Sequence, residues 1–226
     1  MKAALFIALL ALAARAHERD VDFDPHPGAS VSPSLGFREA RMNTYYGGAP
    51  LVLVLGYQGC VNLCSTTLDG VSLALQVAGL QPERDYRALF VSIDARDESV
   101  PPARHAGWHF LTGAASAAAL AKAVGFRYYY DAASGEFAHP AGFVVLTPQG
   151  QVARYFEGVR YNAAEVRAAI AGAQRGETQG VFERLLLRCF HDPVVGRNTT
   201  AVMTALRLAM ATLVIGLGVL AWRNLR

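Results

Sequence analysis

The order of apolar and polar residues along the chain predicts strands that alternate with helices. An unbroken apolar run at 51–55 and a second run at 88–93, interrupted only by Ser92, indicate strands buried on both faces of a sheet. Shorter strands are expected at 108–111 and 126–130, the second followed by a turn at 131–135. The turn at 147–150 joins 142–146 to 151–156 as a β-hairpin. Apolar residues at helical spacing predict three helices, at 61–77, 114–124 and about 162–175.

These elements predict one α/β domain, with a sheet of thioredoxin type, over residues 35–180. The last helix begins at Asn162 and Glu165, which have the spacing of a capping box. In a thioredoxin-type sheet the active turn follows a central strand, at the start of the first helix. Cys60 and Cys64 occupy that place here, directly after the strand 51–55.

Both sides of this domain carry segments of a different composition. Residues 1–16 have one early cation, then a short apolar run, then Ala14-Arg15-Ala16, which together predict a cleaved signal peptide. The run is too short for a bilayer, which needs about 20 apolar residues. Residues 17–34 are rich in Asp, Pro, Ser and Gly and are expected to form a flexible arm.

The C-terminal segment predicts one transmembrane helix over 200–222, preceded by a juxtamembrane segment at 181–199. Within 200–222 the only charged residue is Arg207, and residues 208–222 are wholly uncharged. Arginines lie on both sides of the span, so the charge rule alone leaves the orientation open. The signal peptide decides it and places the domain outside the cytoplasm.

Net charge and cysteine count exclude some classes of function. The formal charge of +3 falls to about +1 once Lys2 and Arg15 leave with the signal, and there is no basic tract. Nucleic acid is therefore not an expected partner. An exported chain with one cysteine pair and a third, distant Cys189 is not a disulfide scaffold. The pair Cys60 and Cys64 is expected to serve redox chemistry or metal binding, and the role of Cys189 stays open.

The spacing of the pair permits both kinds of chemistry. Positions i and i+4 of a helix share a face, with Cα atoms roughly 6 Å apart, which suits a disulfide or a shared metal ion. At a helix N-terminus the pKa of a cysteine is expected to fall, which favours the thiolate. Two thiolates and one imidazole suit copper, whereas structural zinc normally takes a fourth ligand.

The sequence offers six histidines for the third ligand. His139 is the first choice because it lies in a loop just before the strand 142–146, at an edge that can fold over the cysteines. A lone histidine is more often structural, so the residues alone leave this open. The competitors are two in the arm (His17, His26), the pair His105 and His109 interrupted by Gly107, with His109 expected as a core imidazole, and His191 beside Cys189 near the membrane.

Five motifs together resemble the Sco/SenC family of membrane-anchored thioredoxin-fold proteins. They are LVLVLGYQGCVNLC at 51–64, FVSID at 90–94, WHFLTG at 108–113, VGFRY at 124–128 and HPAGFVVLTPQG at 139–150. The resemblance implies copper bound by Cys60, Cys64 and His139, with Asp94 beside the site. The C-terminal tail resembles a bacterial subgroup anchored at that end, which implies an inner-membrane protein whose domain faces the periplasm.

The resemblance also implies a function. Family members help to build the dinuclear copper centre of cytochrome c oxidase subunit II, so we expect a copper-binding assembly factor. The alternative is a thiol-disulfide oxidoreductase that uses Cys60 and Cys64 to reduce the same acceptor. A thioredoxin-like reductant would then return Cys60 and Cys64 to the reduced state. A peroxidase is a third, more distant reading. Where many members carry proline after each cysteine this chain has Val61 and Ser65, and Ala138 and Pro140 flank the histidine.

Overall fold

The computed structural model describes residues 21–60, 63–98 and 107–180, together with 208, 209 and 212. The chain divides into two units, Met1–Gln179 and Gly180–Arg226. The predicted signal peptide and juxtamembrane segment lie outside the described residues, as does nearly all of the predicted span. Among the residues that the structure describes, no helix is long and apolar enough to cross a membrane.

The described residues of the first unit contain seven strands and three α-helices, with a short 3₁₀ helix at Met42–Tyr45 before the first strand. The strands are β1 (Leu51–Gly56), β2 (Arg87–Ser92), β3 (Trp108–Leu111), β4 (Tyr129–Asp131), β5 (Glu136–Ala138), β6 (Gly142–Leu146) and β7 (Val152–Glu157). The helices are α1 (Leu63–Val77), α2 (Ala114–Ala123) and α3 (Ala163–Gln174).

Five strands form one mixed sheet in the order β3-β2-β1-β6-β7, which confirms the predicted α/β architecture. β1, β2 and β3 are parallel, while β6 and β7 form the antiparallel hairpin. The register pairs Gly56 with Ser92, so β1 and β2 end together at one edge of the sheet. The cysteine turn leaves the sheet at this edge.

The central strand β1 is buried along its whole length, because hydrophobic clusters cover both faces of the sheet. One cluster includes α2 and the side chains of Leu51, Leu53 and Leu55. The other packs α1 and α3 against Val52 and Val54. Two covered faces explain why β1 reads as an unbroken apolar run rather than an alternating one.

Most element boundaries agree with the sequence to within two residues, and the Asn162 cap is present. Its side-chain oxygen accepts hydrogen bonds from the amides of Ala164 and Glu165. The strand predicted at 126–130 is partly wrong. Phe126 is buried in the core, and the strand begins only at Tyr129 and pairs with β5, which the sequence analysis missed.

The predicted flexible arm is the clearest correction within the described residues. Over residues 21–34 the chain lies against the domain, and Phe23 and Val31 are buried. Backbone hydrogen bonds join this stretch to Gly125, to the start of β7 and to the hairpin turn before it, at Asp24–Gly125, Gly28–Val152 and Val31–Gly150. The polar composition of this stretch did not indicate that it packs on the domain, because only a few apolar side chains make the contacts.

Candidate metal centre

The cysteine turn connects the end of β1 to the start of α1. The amide of Cys60 donates to the carbonyl of Tyr57 at 3.3 Å, which closes the turn. The amide of Cys64 then donates to the Sγ of Cys60 at 3.2 Å, so this sulfur lies at the head of the helix. Cys60 is half-buried and Cys64 is 5% exposed. One sulfur is therefore reachable from solvent, whereas the other is enclosed.

Gly56 makes room for the enclosed sulfur. A Cβ at this position would lie 2.8 Å from the Sγ of Cys64 and 3.1 Å from the ring of Phe90. Any side chain there would push the sulfur out of place. The sequence analysis did not select Gly56, although a glycine at the end of an otherwise apolar strand is a signal of close approach.

His139 directly follows β5 and brings its imidazole to the two sulfurs. Its Nε2 lies 3.3 Å from the Sγ of Cys64 and 3.9 Å from the Sγ of Cys60. The three donor atoms all lie within 4.8 Å of one another. The structure thus brings together the three residues predicted as metal ligands, although 75 residues separate Cys64 from His139.

A hydrogen bond fixes the tautomer of this imidazole. The Nδ1 of His139 lies 3.0 Å from the carbonyl oxygen of Pro140, which can only accept, so Nδ1 carries the proton. The lone pair of Nε2 then points toward the sulfurs. Burial lowers the pKa of His139, although the bond to Pro140 acts in the opposite direction. Burial is the larger of the two effects, so the imidazole is neutral, and with the proton on Nδ1 its Nε2 is free to bind a metal.

Two aromatic rings hold the imidazole from different sides. Phe126 stacks on His139 at a centroid distance of 5.9 Å and 30° between planes. Tyr57 meets it edge-on at 5.8 Å and 83°, and also packs on Phe137 of β5. Sequence reasoning missed both residues. Tyr57 could have been suspected from its place in the cysteine turn, whereas nothing local marks Phe126.

The expected fall in cysteine pKa is wrong for Cys64. Burial raises its pKa above the usual value, and the hydrogen bond with Cys60 adds to the increase. The enclosure of the sulfur outweighs the helix terminus, because desolvation penalises the thiolate more than the first amides stabilise it. In the metal-free protein Cys64 is therefore a thiol, and a metal ion must displace its proton on binding.

We expect iodoacetamide to modify Cys60 well before Cys64 in the reduced, metal-free protein. The reagent needs an accessible thiolate, and Cys64 is both enclosed and protonated. Peptide mapping by mass spectrometry over time measures the two rates, with urea-unfolded protein as the control in which they should converge. Equal rates in the folded protein would contradict this description of the site.

The donor set fits a three-coordinate soft metal. Bonds of about 2.3 Å to sulfur and about 2.0 Å to nitrogen place sulfur and nitrogen about 3.5–3.7 Å apart. The observed separations of 3.3 and 3.9 Å lie on either side of that range. Two sulfurs and one nitrogen favour copper over harder metals. Cys60, Cys64 and His139 therefore form a candidate copper site.

Asp94 does not complete a four-coordinate zinc site. Its carboxylate is 5% exposed and is held by Arg96 through an ion pair of 2.7 Å and bonds from the Arg96 backbone and Nε. These bonds with Arg96 lower the pKa of Asp94 despite burial. Within the part of the chain that the structure describes, the one group able to hold a metal consists of Cys60, Cys64 and His139.

The other histidines lie elsewhere or outside the described residues. The Nε2 of His109 lies 2.6 Å from a carboxylate oxygen of Glu83, and its ring contacts Tyr45. Its side chain is 40% exposed, so the expectation that His109 is a core imidazole is wrong. His26 is exposed and pairs with Asp24 at 3.6 Å. His17, His105 and His191 lie outside the described residues, as does Cys189.

A thioredoxin-type sheet that brings two free cysteines and a neutral imidazole together at the start of α1 defines a thiol-bearing, metal-binding domain. The model of the SCO1/SenC family matches residues 37–174. The chain belongs to this family, as the five motifs indicated. Among curated proteins none matches the chain significantly.

Solved structures share the fold at low sequence identity. A structure from Aquifex aeolicus VF5, described as an electron transfer protein, is 22% identical with a TM-score of 0.57, covering 67% of this chain and 96% of that chain. Arabidopsis thaliana ScoI, solved with copper bound, is 15% identical with a TM-score of 0.50, covering 59% of this chain and 88% of that chain. Both support the thioredoxin-like fold.

Proposed function

We propose that this protein binds one copper ion through Cys60, Cys64 and His139. The observation that carries the proposal is the convergence of two sulfurs and a correctly oriented Nε2 within 4.8 Å. Membership of the SCO1/SenC family and the copper-bound state of Arabidopsis thaliana ScoI support it. Thiolates select Cu(I), and the added nitrogen also allows Cu(II).

The protein then passes this copper to the dinuclear copper centre of cytochrome c oxidase subunit II or a similar acceptor. Family membership supports this role. An acceptor thiolate would bind the copper as the bond to the half-buried Cys60 breaks, while the enclosed Cys64 and His139 keep hold of the ion until they are exchanged in turn. Copper is thus cargo, and stepwise replacement of ligands avoids releasing the ion into solvent.

The site works outside the cytoplasm, held at the membrane. The signal peptide at 1–16 directs export, and the apolar span at 200–222 anchors the chain in the bacterial inner membrane with its domain in the periplasm. Anchoring confines the copper donor to the surface where a membrane-bound acceptor is assembled. Fractionation of cells that express the full chain tests the location. Recovery in the soluble fraction would contradict it.

Anaerobic titration of the reduced full-length chain with Cu(I) tests the copper proposal. We expect one tightly bound ion per chain, and X-ray absorption should find two sulfur neighbours and one nitrogen neighbour. The same protein with its thiols blocked by alkylation is the control and should bind no copper tightly. If the reduced parent chain lacks tight stoichiometric binding, the proposal is wrong.

A second function, thiol-disulfide exchange, is supported by the free state of both cysteines and the closeness of their sulfurs. In this reaction Cys60 and Cys64 form a disulfide and give two electrons and two protons to the acceptor's disulfide, which becomes two thiols. A thioredoxin-like reductant restores the pair. This function needs the cysteines but not His139. If H139A cells still assemble cytochrome oxidase while C60S cells do not, exchange is the physiological role.

A further inference from the structure

Residues 21–31 form a strap that is bound to the domain along its length. Its backbone donates hydrogen bonds from Asp24 to Gly125 at 2.7 Å and from Gly28 to Val152 at 2.8 Å. Asp22 adds a contact with Arg127, whose Nε donates to the Asp22 carboxylate at 2.7 Å. The strap thus crosses from the residues that flank Phe126 to the strand β7.

Phe23 inserts its side chain into the core at the end of the strap nearest the metal site. It is 4% exposed and meets Phe126 and Tyr155 edge-on, each at a centroid distance of 5.5 Å. Phe126 in turn stacks on His139. Phe126 therefore lies between Phe23 of the strap and the imidazole of His139 and contacts both rings.

Two glycines near the site lie so close to the strap that a side chain at either position would collide with it. A Cβ on Gly125 would lie 1.8 Å from the carbonyl oxygen of Asp24. A Cβ on Gly142, three residues after His139, would lie 2.2 Å from the carbonyl oxygen of Phe156 and 2.9 Å from the ring of Phe23. Gly125 precedes Phe126 directly. At Gly125 the chain beside the site therefore has no room for a side chain, because the backbone of the strap lies there.

We infer that the end of the strap at residues 22–24 is a structural part of the metal site, in which Phe23 is a positioning residue that acts on His139 through Phe126. The hydrogen bond to Pro140 fixes one atom of the imidazole, but the angle of the ring also depends on what packs on its face. Phe23 keeps Phe126 against that face. The family model begins at residue 37, so this determinant lies outside the family-matched segment.

The copper readout of this inference rests on the proposed function, but a metal-free readout does not. In the full-length chain, F23L keeps an apolar side chain and removes the ring contacts. We expect F23L to weaken Cu(I) binding about tenfold, at the low end of effects for groups that orient a metal ligand. In the metal-free protein it should shift the ¹⁵N resonances of the His139 imidazole. D22A, which loosens the strap without altering a ring, should act in the same direction.

Two controls separate positioning from loss of stability. V31A removes a buried side chain at the far end of the strap and should leave the His139 resonances and copper affinity unchanged. In an H139A background F23L should change copper affinity less than about twofold, because a residue that acts through His139 has nothing left to act on. Competition with a chromophoric Cu(I) chelator measures each affinity.

The outcomes decide the two proposals independently. If F23L leaves the His139 resonances in place, or weakens copper equally with and without His139, the inference about the strap is overturned. If the parent chain binds no copper, the proposed function fails, and the metal-free resonances still decide whether Phe23 positions His139.

Discussion

Replacement of Cys64 by serine should abolish tight Cu(I) binding, with a loss on the order of a thousandfold or more, or about 4 kcal/mol. The Sγ of Cys64 lies 3.3 Å from the Nε2 of His139 in an enclosed site, so no solvent-derived ligand can replace it there. A serine hydroxyl is a hard, neutral donor that Cu(I) does not favour. Chelator competition on the reduced full-length variant measures the loss.

C189S is the matched control, because it makes the same chemical change at the third cysteine of the chain. We expect it to retain the copper affinity of the parent. Retention of tight binding by C64S would contradict the assignment of the site. A loss in C189S equal to that in C64S would add Cys189 to the ligand set, which the sequence left open.

The large sheet was predictable because each of its elements carries its own local signal. β1 and β2 contain apolar runs, at 51–55 and 88–91, and the β6–β7 hairpin has a turn with Pro148 and Gly150 between two apolar stretches. β4 and β5 have three residues each, and neither has a stable existence apart from the other. Their pairing is a tertiary event, so the sequence reading placed a strand too early and missed its partner.

The strap was missed for a related reason. Polar composition from 17 to 34 predicted a flexible arm, but the stretch Val21-Asp22-Phe23-Asp24 alternates apolar and acidic residues, which is a signal for an extended segment with one buried face. A single large side chain, Phe23, provides much of the anchoring. Average composition does not detect one well-placed ring.

The candidate site was predictable in its residues but not in its electrostatics. The cysteine pair is visible as a spacing, whereas His139 became a firm choice only through the family resemblance, since loop position alone does not specify a contact over 75 residues. The thiol pKa depends on how deeply the sulfur is enclosed. The close approach of Gly56 and the packing of Cys64 in the core decide that enclosure in three dimensions, so the helix-terminus argument predicted the wrong direction of the pKa shift for Cys64.

Substitution of Gly70 by alanine should destabilise the domain by about 1–3 kcal/mol, against the usual trend for a helix. Alanine normally stabilises a helix interior by about 1 kcal/mol relative to glycine. In α1, however, a Cβ on Gly70 would lie 2.2 Å from the carbonyl oxygen of Val159 and 3.4 Å from the ring of Tyr161. A backbone carbonyl cannot change rotamer as a side chain can, so α1 must move away from the loop that leads into α3. Urea unfolding measures the change.

Gly172 of α3 is the matched control, because it is also a helical glycine but faces a yielding neighbour. A Cβ there would lie 2.9 Å from a carboxylate oxygen of Glu177, which is the exposed end of a flexible side chain. The carboxylate can swing away, so G172A should gain between zero and about 1 kcal/mol from helix propensity. The change in the free energy of unfolding is expected to have opposite signs in the two variants, because one methyl group meets a backbone atom and the other a flexible side chain. If G70A is as stable as G172A, the close packing of α1 on Val159 is wrong.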